Sequence, residues 1–468
     1  MLLYYASIEF YMLKRFGTWV IVIRFMLRQT VARLFYTDLK KPIAMILVYA
    51  GFILRGFGIR KIGLHFVLKG RRADEVKLAN IIIRRVIQQS EEGESEFSNL
   101  FCYSPVPVQP LEFYAARTLI LKLPILQDKK IQEKGAIIFK FSETFIPMYL
   151  YLDIGFLSKY FRLIFEPSSS GYSSEELLVW TTRRSDKIVV LTPDEGDFKF
   201  LTDMNTNLIP VKQGAADWVN PKVFYKTDDT TKIYDVIYIA SFNPVKRVDR
   251  YIRALVRATR IKNDFHAALV CAPPGSARRE TLAMIDWAND KANISFFEKM
   301  SQSELNTLIN QSKVNILLSI KEGANKALSE GFFSGTPGIL LNENIGVNRA
   351  SINEHTGKII PDSELEETLL WFSEHYDEYQ PEKWANEYLT PVASTNKLAK
   401  TLEDIEVSEG RAWSKGLFPK VNQPELAYLS PENDWLLNKR NELLNIFSRG
   451  AVEEKIVTFL EQLQNKIR

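Results

Sequence analysis

The sequence predicts an α/β protein with two parallel-sheet domains, and three observations support this class. Apolar runs of strand length recur along the chain, as in 235–240 and 314–320, and short buried runs of this kind fit parallel strands covered on both faces. Helical patterns fall between these runs, as expected when parallel strands alternate with helices. A length of 468 residues with 46% hydrophobic residues is ample for two large cores with extensions.

The first 72 residues differ from the rest of the chain in charge. Residues 1–72 contain thirteen Lys and Arg side chains, but only Glu9 and Asp38 as acids, a net charge of +11. Large apolar residues lie between these charges. The longest uncharged run, 42–54, has thirteen residues, which is below the ~18 expected of a spanning helix. We therefore expect basic, amphipathic helices that lie on a membrane surface.

Several cations of this segment are candidates for binding anionic lipid headgroups. They are Arg24, Arg28, Arg33, Lys40 and Lys41. Alternatively, the segment supplies early elements of the first domain and its charges are solvated. Nucleic acid would also attract these charges, but the aliphatic runs are too apolar for a nucleic-acid arm, so we expect no such partner. No secretory signal is evident, and Cys102 and Cys271 resemble buried thiols of a reducing compartment. We expect a cytoplasmic protein, peripheral on the cytoplasmic face of a membrane.

Residues 73–225 form the predicted first domain. Its candidate strands are 118–123, 136–141, 162–165 and 187–191. Helical patterns between them favour a parallel sheet. Glu166 follows the third run and precedes a loop rich in Ser and Gly. A carboxylate at such a strand end can orient or deprotonate an acceptor hydroxyl, and a structural turn residue is the alternative.

Residues 226–405 form the predicted second domain, in which strands and helices alternate. The strand candidates are 235–240, 266–271, 293–297, 314–320, 337–341 and 357–360, and the helix candidates are near 248–262, 276–291, 301–312 and 325–334. Beyond this domain, 406–468 is an extension. Apolar residues recur at helical spacing in 449–467, which predicts a helix packed on the body of the protein.

Glu322 and Glu330 are the most informative pair of residues in the chain. The apolar run 314–320 precedes them, the chain then turns at Gly323, and a helix is predicted to begin near Asn325, a good N-cap residue. Glu322 would stand at the carboxyl end of the strand, and Glu330 about a turn and a half into the helix. Ligands of open α/β sheets bind at that edge.

The stretch from Lys321 to Pro337 resembles the donor-site signature of retaining glycosyltransferases of the GT-B fold, family 4 ("group 1"). Glu-Gly, small or apolar residues, a second Glu-Gly and Gly-Thr-Pro are all present at the family's spacing. The resemblance implies two Rossmann-like domains facing an interdomain cleft. It also implies that Glu322 contacts hydroxyls of the donor sugar and that Glu330 binds the nucleotide ribose. The residues between them complete the implied donor site: Gly323, Ala324, Asn325, Lys326 and Ala327.

The loop after the first strand of the second domain carries the donor diphosphate in that family. Its members have a Gly-Arg pair and a Lys five residues after the Arg. Lys246 matches the Lys, whereas Ala240-Ser241 replaces the Gly-Arg pair, with Ser241 at the donor position. We expect Arg247, Arg250 or Lys326 to supply the missing charge; solvated side chains of a first helical turn are the alternative. Such cations stabilise charge that develops on the leaving diphosphate.

Residues 211–217 resemble the family's Pro-Asn-Gly-Val-Asp turn, which ends the first domain near the cleft. We expect Gly214 to lie there and to adopt a backbone conformation that other residues avoid. The family's glycine-rich loop and its histidine near the reacting centre have no counterpart in the first domain.

The resemblance implies a retaining, metal-independent, hexosyltransferase-type enzyme. Its donor would be a nucleotide diphosphate sugar and its acceptor a glycan or lipid-linked glycan in polysaccharide biosynthesis. The chain lacks Asp-x-Asp, Cys-x-x-Cys, His-Glu-x-x-His and a P-loop, so we expect no metal or other cofactor. Three alternatives remain: a nucleotide-sugar epimerase on the same fold, a non-catalytic glycan-binding or scaffold protein at the membrane, and a membrane or nucleic-acid module with inert Rossmann halves.

Overall fold

A computed structural model describes residues 2–91, 94–103, 109–169, 171–228, 230–323, 325–423 and 425–466. The helices are α1 (Leu2–Tyr36), α2 (Lys40–Gly56), α3 (Arg60–Ala73), α4 (Lys77–Gln89), α5 (Leu111–Ala115), α6 (Phe145–Tyr151), α7 (Ile154–Tyr160), α8 (Glu175–Leu178), α9 (Glu195–Met204), α10 (Val248–Ile261), α11 (Arg278–Ala288), α12 (Gln302–Asn310), α13 (Ala327–Phe333), α14 (Leu365–His375), α15 (Pro381–Tyr388), α16 (Pro391–Ser408), α17 (Arg440–Ile446) and α18 (Glu453–Asn465). The strands are β1 (Thr118–Lys122), β2 (Ile125–Gln127), β3 (Lys130–Glu133), β4 (Gly135–Lys140), β5 (Phe161–Glu166), β6 (Ile188–Leu191), β7 (Leu208–Val211), β8 (Tyr234–Ser241), β9 (His266–Ala272), β10 (Asn293–Glu298), β11 (Ser312–Leu317), β12 (Gly338–Leu341), β13 (Gly357–Ile360), β14 (Lys420–Gln423) and β15 (Glu425–Tyr428).

The first sheet has the order β1-β4-β5-β6-β7, and its last four strands are parallel. These strands are buried, so both faces are covered by helices, as parallel sheets require. The edge strand β1 differs from the prediction because it runs antiparallel to β4. Its link to β4 is the short β2–β3 hairpin rather than a crossover helix, and such a short link suits an antiparallel pair.

The second sheet has the order β10-β9-β8-β11-β12-β13 and all of its strands are parallel. From β8 the chain builds outward to β9 and β10, and then returns to place β11 on the other side of β8. This reversal opens a crevice outside the carboxyl ends of β8 and β11, where ligands of such sheets bind. The predicted class, two Rossmann-like α/β domains, is confirmed.

The N-terminal helices pack on the body of the protein by one face. Val22 and Phe25 of α1 are buried in the core of the second domain, and Trp19 meets Trp287 of α11 edge-on at 6.3 Å between ring centroids. Helices α2 and α3 contribute to the first core, through Val48 and Leu64 among others. Within the ranges given above, no helix is both long and apolar enough to cross a bilayer.

The C-terminal part corrects two predictions. Leu398 and Leu402 of α16 are buried in the core of the first domain, so the chain leaves the second domain before the predicted boundary at 405. The extension 406–468 is not wholly helical, because it contains the antiparallel hairpin β14–β15. Helix α18 packs its apolar face on the first core, as its spacing predicts.

The side chain of only one of the two cysteines lies in the described part of the chain. Cys271 lies in β9 as a buried free thiol, and burial raises its pKa to about 12. The side chain of Cys102 lies outside the described part of the chain.

Candidate functional site

The loop after β8 points Lys246 into the crevice. The loop contains a short 3-10 helix, Pro244–Lys246, capped by Asn243, whose Oδ1 accepts a hydrogen bond from the Val245 amide at 3.1 Å. From within β8, the buried Tyr238 hydroxyl donates to the Lys246 carbonyl. These two anchors fix the backbone of the loop, so the Lys246 side chain is positioned by the strand beneath it.

Lys246 and Glu322 form an ion pair across the switch point. The Lys246 Nζ lies 2.5 Å from Glu322 Oε1, and the Ser319 hydroxyl donates to the same carboxylate oxygen. The Glu322 side chain is 8% exposed and that of Lys246 is 17% exposed. Two residues that are far apart in sequence therefore meet where β8 and β11 end, as the resemblance implies for a donor site.

Two glycines allow the backbone to close around Glu322. Gly346 has φ +104°, and a Cβ there would lie 1.9 Å from the Glu322 carbonyl oxygen. A Cβ on Gly323 would lie 1.9 Å from the carbonyl oxygen of Ser168, in the loop after β5. Gly323 therefore brings the second domain into direct contact with the first, and the two loops form opposite walls of the cleft.

The residues after Gly323 lead into α13. This helix begins at Ala327, two residues later than Asn325, although the Asn325 Oδ1 accepts a hydrogen bond from the Leu328 amide at 3.3 Å. The Ala327 carbonyl accepts from Asn315 of β11 at 2.6 Å. Ala324, predicted to contact the donor, lies outside the described residues.

Glu330 is a buried carboxylate one turn into α13. Its residue is 8% exposed, and within the described ranges its carboxylate makes no hydrogen bond or ion pair. Burial raises the pKa of Glu330, and the charge of Lys326 opposes that shift only in part. A desolvated acid whose acceptor atoms are uncommitted is a candidate ligand-binding group, and the neighbouring Asn325, Leu328 and Ser329 line a small cavity.

The prediction that Arg247 or Arg250 supplies the positive charge of the family's missing arginine is wrong. Arg247 has φ +54° and its guanidinium lies 3.1 Å from Asp362. Arg250 pairs with Asp362 at 3.1 Å and with Glu366 at 2.8 Å. Both arginines are buried in this cluster, so their charge is committed to Asp362 and Glu366.

Arg33 of α1 also joins Asp362, at 3.0 Å, and this contact corrects its predicted role as a free headgroup-binding cation.

Ser241 ends β8 opposite Ala272 and is partly buried. Lys326 is the remaining candidate for the second clamp charge. Its Nζ donates to the Asn422 carbonyl at 2.9 Å, and burial lowers its pKa.

Glu166 is not placed to act as the acceptor base. It is 1% exposed, and its carboxylate is held by Lys420 at 2.7 Å, Lys140 at 3.6 Å and Asn422 at 3.2 Å. Burial alone would raise the pKa of Glu166, but the charges of Lys420 and Lys140 lower it below its ordinary value. A carboxylate with a lowered pKa, enclosed by two cations, cannot reach or deprotonate a hydroxyl in the cleft, and its predicted catalytic role is corrected to a structural one.

Gly214 lies close to the domain boundary but not in a special conformation. Its φ is −156°, an extended value open to any residue, so the prediction of an unusual backbone is wrong. Glycine is required for space instead, because a Cβ would lie 2.8 Å from Pro193 Cγ. The Gly214 amide donates to Asp217 at 2.7 Å, and Asp217 lines a small cavity against Asn325 of the second domain.

The contacts that β14 makes with both domains in this region were not predicted from the sequence. Lys420 and Asn422 reach Glu166, and the carbonyl of Asn422 also accepts from Lys326, so one strand links both domains. No alternation of polar and apolar residues marks this strand, because Val421 is the only apolar residue of 420–423. No group of three or more His, Cys, Asp or Glu side chains among the residues described is placed to hold a metal ion.

The fold is that of a two-domain α/β protein, and the switch point of its second sheet is a candidate ligand site. Residues 222–386, about a third of the chain, match the family described as glycosyl transferases group 1. This segment contains Lys246, Glu322 and Glu330. No curated protein matches the chain at a significant level.

Several solved structures are similar to the chain. Anabaena Alr3699/HepE in complex with UDP and glucose is 12% identical, with 57% of this chain and 78% of that chain covered and a TM-score of 0.45. Sucrose-phosphate synthase from Thermosynechococcus elongatus is 14% identical, with 58% and 74% covered and a TM-score of 0.43. S. aureus TarM with fondaparinux, alpha-GlcNAc-glycerol and UDP is 13% identical, with 52% and 51% covered and a TM-score of 0.41. The match therefore spans about half the length of TarM, and at these scores it carries no functional conclusion.

Proposed function

We propose that this protein transfers a sugar from a nucleotide diphosphate sugar to an acceptor hydroxyl in the interdomain cleft, with retention of anomeric configuration and without a metal. The observation that carries the proposal is the Lys246–Glu322 pair at the switch point, inside the segment that matches group 1 glycosyl transferases. A cation and a carboxylate held together there suit a donor with a charged diphosphate and a sugar rich in hydroxyls.

Each group has a role in the proposed step. The acceptor oxygen forms a bond to the anomeric carbon, while the bond from that carbon to the diphosphate oxygen breaks. The nucleoside diphosphate leaves with the electron pair, and the proton of the acceptor hydroxyl passes to the leaving phosphate. Lys246 stabilises the negative charge that develops on the diphosphate, Glu322 accepts hydrogen bonds from donor-sugar hydroxyls, and Glu330 accepts them from the ribose. The charge of Lys326 acts on Glu330. Lys326 is therefore proposed as the second cation that stabilises the leaving diphosphate.

Replacing Glu330 with Gln tests the nucleotide part of this proposal. We expect the affinity for the cognate nucleoside diphosphate to fall roughly tenfold or more, because a charge-assisted hydrogen bond contributes about 1.5–3 kcal/mol. Titration calorimetry measures the loss. Glu354→Gln is a matched control in the same domain, since that side chain is 82% exposed. Equal affinities of all three proteins would contradict the assignment of Glu330.

The same variant has a second expected property. The raised pKa of Glu330 means that ionisation of this carboxyl opposes folding, so its penalty is present at neutral pH and disappears as the pH falls towards the ordinary value of 4.5. Glu330→Gln is therefore expected to unfold at higher urea concentration than the wild type at pH 7, with the difference narrowing at acid pH. A variant that binds poorly because it is misfolded would instead unfold at lower urea concentration than the wild type.

A non-catalytic scaffold is the second candidate, and one observation favours it. Ser241 stands where the family has its phosphate-binding Arg, and the nearby Arg247 and Arg250 are paired with Asp362. Neither arginine is therefore available to replace that Arg. Nucleotide binding without nucleotide release from any sugar nucleotide, in the presence of a membrane-lipid extract as acceptor, would identify the scaffold. Conversion of the sugar nucleotide to an isomer without an acceptor would identify an epimerase.

We also propose that the protein works on the cytoplasmic face of a membrane, on a lipid-linked glycan or polysaccharide acceptor. The support is the outward face of α2 and the turn to α3, where large apolar side chains are exposed. They include Ile46, Tyr49, Phe52, Ile53, Phe57, Ile59 and Ile62. Lys41, Arg60 and Lys61 lie on the same two helices, whereas Lys40, also predicted to bind headgroups, pairs with Asp74 at 3.5 Å. Apolar residues flanked by cations suit the interface of an anionic bilayer.

Replacing both Ile46 and Phe57 with Asp tests this surface. The two residues are 68% and 80% exposed, so the change should leave the fold intact. We expect at least about tenfold weaker sedimentation with vesicles of phosphatidylcholine and phosphatidylglycerol, because each buried side chain of this size contributes about 1.5–3 kcal/mol. Asp at Ile261 and Val407, which are 73% and 60% exposed elsewhere, is the matched control. Unchanged sedimentation of the first variant would exclude this surface.

A further inference from the structure

A second pair of cations lines the cleft beside the proposed donor site. A cavity of about 400 Å³ is bounded by the end of α3, the loops after β4 and β5, and residues 321–323. Arg72 and Lys321 are its basic residues and Glu176 and Glu322 its acidic ones. Ser142, Ser168 and Ser169 also line the cavity. A volume of this size is that of a small-molecule site. Neither cation has a part in the donor chemistry proposed above.

The two cations approach each other from different parts of the chain. A Cβ built on Gly171, which has φ +88°, would lie 2.5 Å from Arg72 Cγ and 3.5 Å from Lys321 Nζ. Gly171 is thus the point at which α3, the loop after β5 and the second domain converge. The charge of Arg72 acts on Lys321 and lowers its pKa, and an anion bound beside both cations would relieve this repulsion.

Lys321 is the less compensated of the two. In the described part of the chain its amine makes no hydrogen bond or ion pair. Burial, followed by the charge of Arg72, lowers its pKa, while Asp197 and Asp194 oppose that shift. Those carboxylates are committed to backbone amides: Asp197 accepts from Gly171 at 2.7 Å, and Asp194 accepts from Gly346 at 3.0 Å.

Arg72 is only partly compensated. Its Nη2 lies 3.5 Å from Glu175 and 4.0 Å from Glu176, which are long ion-pair distances. Its Nε is buried without a hydrogen-bond partner. Guanidinium, amine and serine hydroxyls together are the donor set that recognises a phosphate group.

Arg72 lies in the last turn of α3, beside the first half of α2, since a Cβ on Gly70 would lie 2.8 Å from the Ala44 carbonyl oxygen. The exposed Phe57 and Ile59, proposed to contact the membrane, lie at the opposite end of this helix pair. We propose that Arg72 and Lys321 form an acceptor subsite that binds a phosphate group of the acceptor. This inference rests on the proposed function and adds the substrate class, a phosphate-bearing acceptor.

Phosphate titration of Lys321→Gln tests the subsite. The probe is inorganic phosphate, measured by thermal shift in the presence of saturating nucleoside diphosphate, so that the donor site is already filled. We expect phosphate to stabilise the wild type, and Lys321→Gln to bind it about tenfold more weakly or worse, as expected for a lost charge-assisted hydrogen bond. Lys199→Gln, at a 59% exposed lysine, is the matched control. Arg72→Gln should behave like Lys321→Gln, and Arg72→Lys separates loss of charge from loss of packing.

Vesicles distinguish the two sources of phosphate. Binding is compared on phosphatidylcholine vesicles that contain either phosphatidic acid, a phosphate monoester, or an equal fraction of phosphatidylglycerol. A preference for phosphatidic acid that Lys321→Gln abolishes assigns the phosphate to a membrane lipid. Phosphate binding without such a preference assigns it to a free acceptor. Equal phosphate binding by the wild type and Lys321→Gln, or no binding by the wild type, overturns the subsite.

Nucleotide titration of the same proteins keeps the two proposals separate. Lys321→Gln should bind the nucleoside diphosphate as the wild type does. If no nucleotide binds while phosphate binding still depends on Lys321, the donor proposal fails and the anion site remains.

Discussion

Lys246→Ala is expected to lower turnover by about 10²–10³-fold, the effect of removing one preorganised group that stabilises developing charge. The reaction places negative charge on the diphosphate as the anomeric bond breaks, and Lys246 is the only cation of the β8 loop that the structure directs into the crevice among the residues described. Arg247, its neighbour, is committed to Asp362. No neighbouring residue of this loop should therefore compensate for the loss of the Lys246 charge.

The measurement is nucleotide release from the cognate sugar nucleotide, with unfolding by urea in parallel. Removing the partner of Glu322, which is 8% exposed, should also lower the free energy of unfolding by about 3 kcal/mol. The effect lies at the low end for a buried pair because Ser319 still donates to Glu322. Lys246→Arg should recover part of the activity, and Lys400→Ala, at a 66% exposed lysine, should behave as the wild type. Full activity of Lys246→Ala would exclude the proposed role.

Glu166→Gln is expected to reduce the free energy of unfolding by about 3–5 kcal/mol, the usual effect of leaving buried charges without their partner. Lys420 is 1% exposed and Lys140 is 5% exposed, and both face this carboxylate. Glu195→Gln is the control, since Glu195 is 70% exposed in its pair with Lys212 and should change stability by less than about 1 kcal/mol.

The pH dependence of this difference has a defined sign. A carboxyl with a lowered pKa stabilises the folded protein above its unfolded-state value, ordinarily 4.5, and that contribution is lost as the pH falls through the folded-state pKa. The wild type and Glu166→Gln should therefore differ most at neutral pH and converge in acid. A variant of normal stability without activity would restore the catalytic interpretation of Glu166.

Local sequence patterns predicted the second domain well because its strands are buried on both faces and its helices alternate with them. The sequence predicts a strand over 314–320 that brings Glu322 to its end, whereas β11 ends at Leu317 and Glu322 follows five residues later. The loop after β8 contains Lys246, as predicted. Neither pattern contains the distance between the two side chains. That distance follows from the strand order, in which β11 returns to lie beside β8.

The first domain was less predictable because its site residues are defined by contacts that are remote in sequence. Glu166 resembles an available acid at a strand end, and only the fold brings Lys420, which is 254 residues away, onto its carboxylate. The second domain has one such case, because Arg247 resembles a phosphate-binding residue until the fold places Asp362 beside it. The charge of a side chain is visible in sequence, whereas its partner is a property of the packed structure.

Every role proposed above requires that the crevice between β8 and β11 binds a nucleoside diphosphate, and a thermal-shift panel measures this binding. The wild type and Glu330→Gln would be heated with UDP, GDP, ADP, dTDP and CMP. A ligand at ~100 times its dissociation constant stabilises a protein by roughly 2.7 kcal/mol, an easily measured shift. We expect one nucleoside diphosphate to stabilise the wild type and to stabilise Glu330→Gln markedly less. A folded wild type that responds to none of the five would contradict the donor site and favour the scaffold.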